Sequence, residues 1–226
     1  MLTWCYTSYG QLESPIPVTK TTKDNTVCNV CPTAKLSLDV HKYTDLEPQD
    51  ACYQAVQSLE ERYGVNVVPC SPTTYDSKAI MTNAMLVQMM YTSCVILTDL
   101  QKMVIEEKLK KGTRISKEKS ELGSYDPNDH MAYADNQYDD TKATDCYEKN
   151  AEDLGNEYNI NIGDANNNLN ATKPIDVVKT LEMLAALFNK TAYKAPAYTK
   201  KTMTKGAFAI LLNNYLDSYN ELLGKL

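Results

Sequence analysis

Residues 76–111 constrain this chain more than any other stretch. Ile80, Met81, Ala84, Met85, Leu86, Val87, Met89, Met90, Cys94, Leu97, Leu100, Met103 and Val104 recur there at spacings of three and four. That spacing puts them on one wide stripe of an α-helix. At about 1.5 Å per residue the helix would be roughly 50 Å long. A rod with an apolar stripe of that length needs partners along it. The expected fold is therefore mainly α, a helical bundle around one long central helix. Residues 79–98 carry no charge, so a membrane span has to be weighed. Thr82, Asn83, Gln88, Thr92, Ser93 and Thr98 interrupt the run, and a buried core helix is the better reading.

Partner helices follow from the same periodicity. Pro48 suits a first helical position and Gly64 a C-terminal stop, framing a helix over 48–63 with Cys52, Ala55, Val56, Leu59 and Tyr63 on one face. Further helices are expected over 143–154, 174–190 and 205–223, the last stopping at Gly224. The run Val65-Asn66-Val67-Val68 suits a strand or a buried connector. Residues 1–47 lack a sustained period and hold Pro15, Pro17 and Pro32, which reads as an extended N-terminal arm. The helical domain then spans 48–226 and carries a long polar, acidic loop at about 113–142.

Composition excludes some functions and favours others. The chain has 16 Tyr against 2 Phe, and Tyr suits wet cores and subunit contacts. Only Arg62 and Arg114 are arginines and the net charge is -6, so direct nucleic-acid readout is not expected. Charge is also unevenly placed. Residues 125–164 hold 11 acids against Lys142 and Lys149, a local -9; residues 102–119 hold seven bases against three acids, a local +4. Patches of this kind can steer one subunit onto another. The Met81, Met85, Met89 stripe fits core packing, with contact with another subunit as the alternative.

Two stretches suggest metals. Asp164, Asn166 and Asn168 stand at positions 1, 3 and 5 of an EF-hand-like loop, with Asp176 one residue past position 12. GDANNNLNAT leading into an Asp-bearing helix resembles a dockerin-type calcium segment, which implies calcium bound by Asp164, Asn166, Asn168 and Asp176. Position 6 is Leu169 rather than Gly, so a polar linker whose Thr172 or Lys173 opens a helix competes with it. Cys28-Asn29-Val30-Cys31 is a C-x-x-C that suits zinc or redox chemistry, with His41, Cys52 and Cys70 the nearest further ligands.

Seven cysteines are an odd number for a fully paired scaffold. MLTWCYTSYGQLES has neither a basic nor an apolar signal region. Both point to a reducing, intracellular site of folding, a virion or host cytoplasm rather than secretion. Sequons stand at Asn170 and Asn189. His41 and His130 sit in no catalytic motif, and no phosphate-cradling Gly loop is present. The expectation is a non-catalytic structural or adaptor subunit of a homo-oligomeric assembly, with no cofactor, membrane or small-molecule substrate. Its partners would be other copies of itself and neighbouring assembly proteins. A Lys-, Asn- and Tyr-rich composition favours a virion part such as a phage head–tail connector ring. The alternative is a calcium- or zinc-binding interaction or adhesion module.

Overall fold

The computed structural model describes residues 40–68, 70, 73–111, 138–142 and 144–225. The expected arm up to residue 39, including Cys28 and Cys31, and most of the acidic loop lie outside them. The fold is mainly α, with five α-helices and no sheet among the described residues. Helix α1 is Tyr53–Gln57 and continues as a π-helical turn, Ser58–Arg62. The Tyr63 N–H closes that turn on the Ser58 carbonyl at 3.0 Å. Gly64 ends it at φ 71°, a left-handed conformation that suits glycine. Pro48 lies in the turns ahead of the helix rather than in its first position.

Helix α2, Asn83–Lys110, has 28 residues and is about 42 Å long. It starts seven residues later than the periodicity suggests, because the chain before it pairs on both sides. Met81 N–H donates to Met203 C=O at 2.8 Å, and Ile175 N–H donates to Met81 C=O at 3.1 Å. Ile80 bridges Thr204 and Thr82 bridges Pro174, both antiparallel. Asn83 and Ala84 N–H reach the Lys173 and Ala171 carbonyls, so donors usually orphaned at a helix start are satisfied. The helices after Pro174 and Thr204 leave from this same seam.

Helix α3 is Glu148–Tyr158, α4 is Val177–Leu187 and α5 is Lys205–Gly224. Asn159 ends α3 in the left-handed region at φ 52°. Thr204 Oγ1 caps α5 by accepting from Ala207 N–H at 3.2 Å. The cap of α4 is Asp176, not Thr172 or Lys173, because Lys173 and Pro174 are held in the seam.

The closest helix pairs are α2 with α3 and α1 with α5. Residues 84–90 of α2 and 211–216 of α5 are buried without a break, so interior position is shared by two helices rather than centred on one. Val65, Val67 and Val68 form a buried connector, not a strand. Val40, Tyr43 and Leu46 are core residues, so the body extends back past the boundary expected at 47. Among the described residues no helix is long and apolar enough to cross a membrane.

Tyrosine does much of the core packing. Tyr63, Tyr75 and Tyr215 are buried, and each hydroxyl that goes inside needs a partner. Tyr63 donates to Asp217 at 2.6 Å and Tyr75 donates to the Lys205 carbonyl at 2.9 Å. The methionine stripe lies in the core. Met81, Met85 and Met89 are 0%, 5% and 0% exposed and pack inside the subunit. Met85 and Met89 on α2, and Met81 just ahead of it, face this chain's own core.

Candidate functional site

Asp164 organises the loop that ends at Asn170. Its Oδ1 accepts from Asn166 N–H at 2.9 Å and Asn168 N–H at 3.1 Å, and its Oδ2 accepts from Asn170 Nδ2 at 2.9 Å. The Asn168 N–H, with the Asn170 amide and the Asn166 N–H, holds the Asp164 carboxyl below the usual carboxylate range. Asp140 repeats the pattern from below, accepting from Leu169 N–H at 2.7 Å and Asn170 N–H at 2.8 Å. Asn167 and Asn170 take left-handed backbone, which Asn tolerates. Tyr138 lies under the loop, and its hydroxyl accepts from Ile162 N–H at 3.1 Å. A Cβ on Gly163 would stand 2.3 Å from that ring, so only glycine fits there.

The structure brings Asp164, Asn166 and Asn168 onto one loop, but their groups face one another. Asp176 stands apart from them in role: Oδ1 accepts from Lys179 N–H at 3.1 Å as the α4 cap. Among the described residues no group of three or more His, Cys, Asp or Glu is placed to hold a metal ion. A cleft of about 280 Å³ opens between this loop and α4, with Leu86, Ile162 and Met183 on its apolar side and Lys173 on its polar side. Lys179 Nζ reaches into it and donates to the Gly163 carbonyl at 3.0 Å. Added calcium is expected to leave the melting temperature unchanged, because the loop amides already satisfy Asp164. A rise of several degrees on calcium addition, reversed by chelator, would instead support the calcium reading.

Comparison with family models, curated proteins and solved structures finds no match to this chain. The remaining chemistry has to be read from the residues. One carboxylate is buried in the π-helical turn, and a second is half-buried on the helix it packs against. Glu60 is 0% exposed; its Oε1 accepts from Tyr43 Oη at 2.5 Å and pairs with Lys42 Nζ at 3.0 Å. Burial pushes the Glu60 carboxyl up, and Tyr43 and Lys42 draw it part of the way back. Asp217 accepts from Tyr63 Oη, Arg62 at 2.9 Å and Asn213 Nδ2 at 3.0 Å, and burial raises it too. Neither acid has a sequence signature, since an isolated Glu or Asp on a helix reads as surface. The π turn that rotates Glu60 inward is invisible to a 3.6-residue period.

The Glu60 environment fixes a pH dependence. Folding raises its pKa, so the folded state holds the proton more tightly than the unfolded chain. That contribution is present at low pH and is lost as pH rises through the raised folded value. Glu60→Gln is therefore expected to flatten the fall in stability between acid and neutral pH. Urea unfolding at several pH values checks this, and parallel wild-type and variant profiles would sink it.

The cysteines divide by burial. Cys94 is buried and its thiol is pushed up to about 12 by desolvation; Cys52 is likewise pushed up to about 11. Such thiols form little thiolate at neutral pH. Cys70 and Cys146 form a disulfide with Cα atoms 5.5 Å apart. In the oxidised chain each of these two sulfurs is occupied by the other. The bond removes Cys70 as a zinc partner for Cys28 and Cys31.

Proposed function

We propose that this protein is a non-catalytic structural or adaptor subunit of a homo-oligomeric assembly. The observation that carries the reading is where the fold puts its reactive groups. Glu60 and Asp217 are closed against Tyr43 with Lys42 and Tyr63 with Arg62, and each pair joins two elements of the body. Acids held by tyrosine and a cation in this way are engaged in joining elements of the body rather than left free to act on a substrate. The buried Cys52 and Cys94 thiols are poor nucleophiles because of desolvation.

What the body offers outward is adhesive. Leu109 and Val178 are 59% and 65% exposed, and Met103 joins Leu109 on the Lys-rich end of α2. Apolar side chains set among charged ones suit contacts that form after electrostatic steering. A virion connector ring is one assembly that would use such a subunit, and a virion surface is a setting in which an exposed disulfide persists.

Light scattering of the full chain at two concentrations, with and without chelator, is the test. A discrete oligomer that survives chelation is the expected result. A monomer of 25.3 kDa at every concentration and low salt would overturn the proposal. So would rapid labelling of the native, oxidised chain by a thiol reagent at Cys52 or Cys94.

A further inference from the structure

Two oppositely charged surfaces lie on different helix pairs. From 189 to 202 the chain runs outside any helix and carries Lys190, Lys194, Lys200 and Lys201 with no acid. All four lysines are exposed. This connector is fixed to α5: Tyr193 N–H donates to Ser218 Oγ at 3.0 Å, and the Tyr193 ring meets Tyr215 edge-on at 4.8 Å. From 145 to 157 the chain carries Asp145, Glu148, Glu152, Asp153 and Glu157 against Lys149, five acids less one base, a local -4. That surface is fixed to α2. Asn150 Nδ2 donates to Gln88 Oε1 at 2.7 Å, and the Tyr91 and Tyr158 rings meet edge-on at 6.3 Å.

Resting on the assembly reading, we infer that the basic connector of one copy docks on the acidic α3 surface of the next, so that copies join head to tail. Charge complementarity selects the occupant. Either surface facing its own copy would set like charges together, which costs affinity, whereas each facing the other is attractive. Tyr193 and Tyr198 on one side, and Tyr147 and Tyr158 on the other, supply half-buried aromatic area of the kind interfaces favour. The two surfaces belong to separate helix pairs, so joining them leaves one of each unused on the end copies. A contact of that type grows into a ring or a filament instead of stopping at two.

The test uses two charge-reversed full-length chains. One carries Lys194→Glu, Lys200→Glu and Lys201→Glu; the other carries Glu148→Lys, Glu152→Lys and Glu157→Lys. Alone, each presents like charge on both surfaces and should assemble more weakly than wild type by more than roughly tenfold. Mixed in equal amounts, they restore opposite charge at every junction, and native mass should recover. Recovery also shows that both variants fold. Wild-type assembly should weaken as salt is raised from about 50 mM to about 500 mM, as screening requires. Variants that keep wild-type mass would place the interface elsewhere and overturn this inference while the assembly reading stands. A closed dimer that does not grow would also overturn it. A wild-type chain that is monomeric at low salt overturns both.

Discussion

Reducing the Cys70–Cys146 bond is expected to lower the melting temperature by about 10 °C. The bond links residues 76 apart, so it forbids a large set of unfolded conformations. The chain-entropy relation gives roughly 4 kcal/mol for a loop of that length. Its position makes the native-state effect point the same way. Cys70 lies on the loop after the buried Val65–Val68 connector, and Cys146 stands just before α3, which packs on α2. The bond therefore ties the α1 end of the body to the α2–α3 pair. Both cysteines are exposed, so a reductant reaches them in the folded protein. Cys70→Ser with Cys146→Ser should melt where the reduced wild type melts, and dithiothreitol should then change nothing further. Thermal unfolding followed by circular dichroism, with a thiol count to prove reduction, is the measurement. A reduced chain that melts where the oxidised one does would refute the tether.

The mainly helical character of this chain was legible because it needs only a period. Apolar residues at spacings of three and four marked α2 and α5, and Gly64 marked a helix stop that the structure places at φ 71°. The start of α2 was not legible. Residues 77–82 continue the apolar stripe, yet 77–79 form a turn and 80–82 are held by backbone pairing with residues 173–175 and 203–204, and such pairing depends on chain far away in sequence. The same limit hid the role of Asp164. Its spacing to Asn166 and Asn168 suits either a cation or a ring of loop amides, and only the folded backbone decides that the amides occupy its oxygens. The methionines illustrate a third limit. A stripe on one face says that the face is covered, but it does not say by what; here the cover is the chain's own core.

Phe188→Ala should destabilise the chain by about 3–5 kcal/mol, the range for truncating a buried aromatic where the surroundings collapse only partly. Phe188 is 1% exposed and stacks on Tyr215 with centroids 4.9 Å apart; it also meets Tyr219 edge-on at 6.3 Å. Offset and edge-on ring pairs add to the area buried, and three of them converge here because Tyr193 also packs on Tyr215. The cluster thus fastens the end of α4 and the start of the lysine connector to the same turns of α5. Phe188→Leu keeps most of the volume and should lose clearly less than Phe188→Ala. Urea unfolding gives the stability difference, and a loss below about 1 kcal/mol for Phe188→Ala would contradict the packing argument. The variant also reports on function. If the connector has to be held rigidly to meet α3 of the next copy, trypsin should cut Phe188→Ala faster at Lys194, Lys200 and Lys201 while it is still folded. Its assembly should weaken although every charge on both docking surfaces is unchanged. Full-strength assembly by a connector that trypsin cuts freely would show that the charges act without the scaffold beneath them.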